Sequence, residues 1–394
     1  MEPRGYIYIF SISAMVIAGC KKPYAPKAIS TNNNLLVVEG VINTGNDSTV
    51  IRLSRTVSIS GKTTANPEQG ATVTIESDQA VSYQLQQVDS GRYTSAPLNL
   101  DNTHKYRLRI NTADGRTYLS DYVEAKVTPP IDTFDYAITG SGINFYTSTH
   151  DAANKTKYYR WDYTETYIYE SVLSTSIAFD NSYPLTSQKF RYVPPDERTH
   201  ICYVTAPSST VVLNSNAGLS QDVVINNPIT QVPSTSEKLY HRYTIQVRQY
   251  ALTREAFEFW SNLKKNTEQI GTIYDAQPSE IKGNIHCLSN AAEPVIGYIS
   301  ASTVTQKRLF IDNRDLPGWP IPDQGGCTTQ LLKWDDGVTP PELTSGVWIP
   351  VGTLNKTYNV AQKDTQFSVK AGYYDCVDCR YHLHGTNIKH GFWK

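Results

Sequence analysis

The chain has 394 residues, enough for two or three domains with cores of their own once a short N-terminal segment is set aside. Its 36 Lys and Arg stand against 37 Asp and Glu, so no global field draws it onto nucleic acid or an anionic bilayer, and nucleic-acid binding is excluded as a first expectation. With 27 Tyr, only 2 Met and 39% hydrophobic residues, the composition excludes wholesale disorder and favours β-sheet, because ring and β-branched side chains suit a pleated, half-buried surface.

Arg4 opens a stretch, Tyr6 to Ile17, that is almost free of charge and rich in Ile, Tyr, Phe, Val and Met. This predicts a signal peptide over residues 1–19, too short to span a bilayer as a mature helix. It ends in Ile17-Ala18-Gly19-Cys20, which resembles the lipobox of bacterial lipoproteins. Two small residues let the backbone enter a protease groove, and the Cys20 thiol would take covalent lipid, the only attached group expected. An ordinary signal peptide with an incidental cysteine, or an unprocessed hydrophobic tail, is the alternative. Lys, Pro, Ser, Thr and Asn fill the following residues, so 20–34 reads as a flexible tether. Lys21 and Lys22 stand where related lipoproteins carry acidic residues for surface export, which leaves the periplasmic and cell-surface faces both open.

From Leu35 the pattern has period two. Leu35 to Gly40, Val50 to Leu53, Ala71 to Ile75, Tyr83 to Leu85, Tyr106 to Ile110 and Thr117 to Leu119 are predicted strands, with turns at Gly61, Asp89-Ser90-Gly91 and Asp114-Gly115. Short strands at this spacing predict an immunoglobulin-like or transthyretin-like β-sandwich over 35–128. Gly70-Ala71-Thr72-Val73, Gly91-Arg92-Tyr93 and Tyr106-Arg107-Leu108 also resemble the non-peptidase β-sandwich modules attached to carboxypeptidases and outer-membrane receptors.

Thr128-Pro129-Pro130 interrupts the series, since proline donates nothing to a strand ladder. A larger β-rich domain with at least one α-helix is expected over 131–394. Its first long strand puts Tyr159, Trp161, Tyr163, Tyr167 and Tyr169 on one face and Arg160, Asp162, Thr164 and Thr166 on the other. Tyr159, Trp161 and Tyr163 are candidate contacts for a sugar ring or a partner, although aromatic strand faces more often pack in cores. After Tyr243, Ile245 and Val247, a helix is predicted near 253–270. Thr253 is its N-cap, Glu255 suits the positive end, Ala256, Phe259, Trp260 and Leu263 form its stripe, and Gly271 stops it. Strands over Val295 to Ser300 and Arg308 to Ile311 precede Pro- and Gly-rich loops from Leu316 to Gly326.

Several stretches together resemble the domain of unknown function 4249 family, lipoproteins of Gram-negative bacteria. They are the lipobox at Cys20, Leu36-Val37-Val38-Glu39-Gly40, Gly70 to Ile75, Tyr158 to Trp161, Gly271 to Ser279, Gly283-Asn284-Ile285, Gly297-Tyr298, Cys376-Val377-Asp378-Cys379, Gly385-Thr386-Asn387 and Phe392-Trp393. Similar chains tend to have Pro-Asp before the final Phe-Trp, where this one has His390-Gly391. The resemblance implies an outer-membrane lipoprotein often encoded near TonB-dependent receptors. It brings no catalytic residues.

Beyond Cys20 there are five cysteines: Cys202, Cys287, Cys327, Cys376 and Cys379. An odd number in an oxidising compartment permits two bridges and leaves one thiol. Pairing Cys376 and Cys379 with distant partners would staple the C-terminal tail to the body, and this is favoured over a redox loop between the two. Cys376-x-x-Cys379-x-x-His382-x-His384 also imitates half a zinc site, but its second half is missing, so no metal is assigned.

No Gly-x-Ser-x-Gly, His-Glu-x-x-His or phosphate loop occurs. Asp162 and Glu165 differ in strand parity, which does not suit two carboxyls flanking one bond. His200 near Cys202 and His286 beside Cys287 read as structural residues. The expectation is a membrane-anchored accessory or binding protein, with a TonB-dependent receptor or a glycan-like solute as partner and no catalytic residues. A lipid-anchored hydrolase or a purely structural interaction module is the alternative.

Overall fold

A computed structural model describes residues 34–57, 66–179, 190–268, 282–320, 326–335, 340–359 and 364–393. The signal peptide, Cys20, the tether up to residue 33, the Gly61 turn and the Gly271 to Ser279 motif lie outside them.

The first alternating segments fold as eight strands: β1 (Leu36–Asn43), β2 (Val50–Arg55), β3 (Thr72–Ser77), β4 (Ser82–Asp89), β5 (Arg92–Thr94), β6 (Lys105–Asn111), β7 (Thr117–Ser120) and β8 (Val123–Lys126). All six predicted strands are present. The two missed, β5 and β8, are only three and four residues long, too short to display a period. Alternate residues such as Leu36, Val38, Ile51, Val73, Ile75 and Leu108 point into a single core. The layers run β1-β2-β5-β4-β3-β6, and β6 also pairs with β7 and β8.

The chain then builds a second two-layer unit. β9 (Ile131–Thr139) and β10 (Gly142–His150) start one sheet, and β11 (Tyr158–Glu170) starts the other. A short hairpin of β12 (Ile177–Phe179) and β13 (Phe190–Tyr192) leads to β14 (Ile201–Pro207), β15 (Val212–Ser215), β16 (Val223–Pro233) and β17 (Arg242–Ala251). β16 joins β10 and β9, while β14, β15 and β17 pair with β11, all antiparallel. Phe134, Ile143 and Phe145 of the first layer meet Trp161, Tyr243 and Ile245 of the second.

Helix α1 (Arg254–Glu268) follows directly. Ala256 N donates to Thr253 Oγ1 at 3.2 Å, so Thr253 caps the helix as its sequence position suggests. The helix is clamped to the sheet through Arg160, whose guanidinium lies 4.5 Å from the Tyr250 ring centre and 4.3 Å from that of Trp260.

Beyond α1 the chain returns to the first unit. β18 (Ile285–Cys287) pairs with β7, and β19 (Ser300–Ser302) inserts between β1 and β8, parallel to both. Because β8 also pairs with β6, this insertion closes eight strands into a ring. The predicted division into 35–128 and 131–394 is therefore modified, since residues 282–302 complete the first unit. The predicted strand over Val295 to Ser300 is a bridge at Ile296 to Val37 followed by β19. Two glycines permit the crossing: a Cβ on Gly283 would collide with Gly297 O, and one on Gly297, at φ +136°, would collide with Val38 O.

β20 (Val304–Asp312) then pairs with β17, and a further small sheet forms from β21 (Thr329–Asp335), β22 (Trp348–Pro350), β23 (Asn355–Asn359) and β24 (Asp364–Tyr373). A single-turn helix α2 (Pro341–Thr344) precedes β22, and α3 (Tyr374–Val377) starts the tail. The joint at Pro129-Pro130 is packed rather than loose. Gln249 Nε2 and Thr305 Oγ1 both donate to Pro129 O, at 2.9 Å and 3.0 Å, and Thr149 Oγ1 donates to Pro130 O at 2.8 Å.

Candidate functional site

The structure places the three aromatic candidates of β11 differently from one another. Tyr159 and Trp161 are 0% and 1% exposed, so neither ring offers a face to a solute or partner. Their expected contact role is corrected to a core role: the hydrogen-bonded sheet turns this face onto the opposing layer, where large rings fill the gap. The Tyr159 hydroxyl donates to the Asp222 carboxylate at 3.0 Å, and Trp161 Nε1 donates to Gln249 Oε1 at 2.8 Å. Tyr163, 6% exposed, sits at the end of that core and contributes to a cleft.

The cleft has a volume of about 380 Å³ and opens where the two sheets of the second unit diverge. Tyr163 and Glu165 come from β11, Ser208 and Ser209 from the turn after β14, Thr230 from β16, and Ser236 and Lys238 from the turn before β17. The Tyr163 hydroxyl donates to Thr230 Oγ1 at 3.0 Å, while Tyr163 N donates to Ser208 Oγ at 3.1 Å, so both walls are fixed to one residue. Glu165 is buried and would be costly as a lone charge. It accepts from Lys238 Nζ at 2.6 Å and from the Tyr243 hydroxyl at 2.8 Å. Burial, and secondarily the Glu165 charge, push the Tyr243 phenol well above its ordinary range, so it stays a neutral donor.

Beside Lys238, the half-buried Glu237 gathers a second set of partners. The Tyr167 hydroxyl donates to Glu237 Oε1 at 3.1 Å, and His382 Nε2 lies 2.9 Å from the same oxygen. The His382 ring stacks on Tyr169 with centres 3.7 Å apart. The result is a water-accessible concavity with little net charge, several hydroxyls able to donate or accept, and an apolar edge from Pro207, Val232 and Pro233. Such a lining suits a neutral, hydroxyl-rich molecule better than an ion. Of these residues the sequence singled out Tyr163 as a contact candidate; Glu165 entered only as a carboxylate unsuited to pairing with Asp162, and nothing pointed to the serines or Lys238. Their only local signal is Pro- and Ser-rich turns, Pro207-Ser208-Ser209 and Pro233 to Ser236.

Asp162 and Glu165 do lie on opposite sides of β11: Asp162 accepts from Arg248 Nε at 2.7 Å, away from the Glu165 network. The cysteines form two staples. Cys202 bonds Cys379 and Cys327 bonds Cys376, with Cys287 left as a buried thiol. Both bridges tie the tail back to the body, the first to β14 and the second to the segment just before β21, in line with the favoured stapling. The sequence separations of 177 and 49 residues correspond to about 5 and about 4 kcal/mol in the chain-entropy model. With both thiols of the Cys-x-x-Cys oxidised and His382 on Glu237, the imitation zinc half-site is not assembled. Among the described residues there is no cluster of three or more His, Cys, Asp or Glu placed to hold a metal. His286 Nε2 pairs with Asp121 Oδ1 at 3.1 Å rather than with Cys287.

No helix among the described residues is long and apolar enough to cross a membrane, and Cys20 lies outside them.

No curated protein matches the chain. Similar solved structures include one titled as manganese lipoxygenase of Gaeumannomyces graminis with part of zonadhesin of Komagataella pastoris, at 7% identity over 56% of this chain and 89% of that one, TM-score 0.17. The adhesin InvE of Yersinia pseudotuberculosis is 13% identical over 56% of this chain and 57% of its own, TM-score 0.14. A cycloalternan-degrading enzyme from Trueperella pyogenes is 10% identical over 69% of this chain and 32% of its own, TM-score 0.14. Superpositions this poor carry no functional argument. The model described as "Domain of unknown function (DUF4249)" matches residues 21–308, the greater part of the sequence, and the chain belongs to that family.

Proposed function

We propose that the protein is a lipid-anchored cell-envelope binding protein, cleaved before Cys20 and held at the outer membrane by lipid on that thiol, which presents a glycan-like solute to a TonB-dependent receptor. The observation that carries the binding role is the hydroxyl-lined cleft around Tyr163 and Glu165. Its polar groups are arranged to exchange hydrogen bonds with hydroxyls, and Lys238 with Tyr243 keeps Glu165 fixed as an acceptor. The lipobox and the two tail staples support an oxidising, envelope location. The receptor partnership rests on the family resemblance.

Calorimetric titration of the mature protein with a panel of neutral oligosaccharides tests the binding role. At least one ligand binds, and Ser208→Ala with Ser209→Ala weakens it tenfold or more, at a cost of about 1 to 2 kcal/mol in stability because Tyr163 N loses its Ser208 acceptor, a loss that leaves the protein folded. Binding that the double variant leaves intact would move the site elsewhere. Turnover of a supplied oligosaccharide by the purified protein would replace the binding reading with a hydrolase. Envelope crosslinking of the lipidated protein, followed by identification of the captured receptor, tests the partnership.

A further inference from the structure

The outer face of the sheet formed by β14, β11, β17 and β20 carries a second concavity of about 500 Å³. Ile168 and Tyr203 line it from strand positions whose parity is opposite to that of Glu165 and Cys202, so it lies on the other side of the sheet from the hydroxyl-lined cleft. Among the described residues its rim carries Arg242, Arg314 and Lys389 against the carboxylate of Asp312. The chain as a whole is at −1, so this local excess of positive charge is a placed feature rather than a reflection of composition.

One wall belongs to the C-terminal tail. Residues Tyr203 and Thr386 exchange backbone hydrogen bonds of 2.8 and 3.1 Å, and Trp393 closes edge-on against Tyr203 and Phe310 at 5.2 and 6.0 Å. The Arg242 guanidinium lies over Phe310 at 5.1 Å and over Trp393 at 5.9 Å, which holds its plane in place. Lys389 is thus suspended between two anchored points, exposed and without an ion-pair partner among the described residues. Arg314 pairs with Asp312 at 3.1 Å, but its side chain is 81% exposed, so that pair is weak and the guanidinium is free to turn toward a ligand.

We propose that this concavity binds an acidic saccharide, with Lys389 and Arg314 taking its carboxylate and the rings of Tyr203 and Tyr240 meeting the apolar face of the sugar. Asp312 and Asn313 sit in the same lining as acceptors for neighbouring sugar hydroxyls, a contact that a bare lipid phosphate does not require. The inference is independent of the hydroxyl-lined cleft. It also gives the Cys202–Cys379 staple a role beyond stability, because that bond starts the tail segment that supplies Lys389 and Trp393.

Titration of the intact, oxidised mature chain with oligogalacturonate tests the proposal. Binding is expected at low ionic strength and to weaken steadily as salt is added. Arg314→Glu with Lys389→Glu lowers the affinity at least tenfold, and because both side chains are exposed the circular dichroism and melting temperature remain those of the parent. Ser208→Ala with Ser209→Ala leaves this binding unchanged. Equal affinity in the charge-reversed variant overturns the assignment. So does association with phosphatidylglycerol vesicles in the absence of any binding to oligogalacturonate.

Discussion

Gln249 is fully buried in β17 and joins three parts of the chain, which makes Gln249→Leu an informative perturbation. Its Oε1 accepts from Trp161 Nε1 at 2.8 Å, while Nε2 donates to Pro129 O at 2.9 Å and Thr149 Oγ1 at 3.0 Å. Leucine has similar bulk, so cavity formation is a minor effect and the loss is polar. The Trp161 N–H becomes a buried orphan, costing about 2 kcal/mol. Pro129 O keeps Thr305 and the Thr149 hydroxyl keeps Pro130 O, so these two groups each lose only one bond, about 1 kcal/mol apiece. The expected destabilisation is therefore about 4 kcal/mol, at the upper end for single substitutions.

Equilibrium denaturation of the mature protein, followed by tryptophan emission and circular dichroism, measures this. Trp161→Phe removes the orphaned donor, so the double variant is expected to be less destabilised than the two single variants added together. A Gln249→Leu protein within about 0.5 kcal/mol of the parent would refute the idea that this hydrogen-bonded hub fixes the joint.

Titration with a thiol reagent should find no reactive cysteine in the native mature protein, one after denaturation without reductant, and five from Cys202 onward after reduction, in keeping with two bridges and buried Cys287. Gly297→Ala places a Cβ against Val38 O and prevents β19 from closing the ring, so a loss of more than about 3 kcal/mol is expected, read as a lower melting temperature or loss of soluble protein. Burial pushes the Glu76 carboxyl up, but hydrogen bonds and charges from Arg109 and Arg107 outweigh it and hold it below the usual carboxylate range. Because the folded value is depressed, its stabilisation is present above the unfolded value and disappears as pH falls through the folded one. Glu76→Gln should therefore be less stable than the parent at pH 7 and equal to it in strong acid, which paired unfolding curves would detect.

Much of the fold was legible in the chain because strand alternation is a local signal. Leu36 to Gly40, Thr72 to Ser77 and Tyr106 to Ile110 declare which side is buried through residues two apart, and Thr253 with Ala256 and Phe259 declares a capped helix. The aromatic register of Tyr159, Trp161 and Tyr163 was equally plain, but a periodic face states only that it is covered or sticky. Whether a second sheet or a solute covers it depends on β9, β10 and β16, whose arrival on that face is not encoded in β11.

The sequence by itself determined the β class, the helix, the number of bridges that five cysteines allow and the charge balance that disfavours nucleic acid, all properties of composition or near neighbours. Only the tertiary structure decided that Ser300–Ser302 closes a ring begun at Leu36, that Cys202 meets Cys379 across 177 residues, and that Ser208, Thr230 and Lys238 gather around Glu165. Those choices are made by which distant surfaces bury best together once backbone hydrogen bonds are satisfied, and the energy of such a pairing belongs to both segments at once, so neither carries it alone.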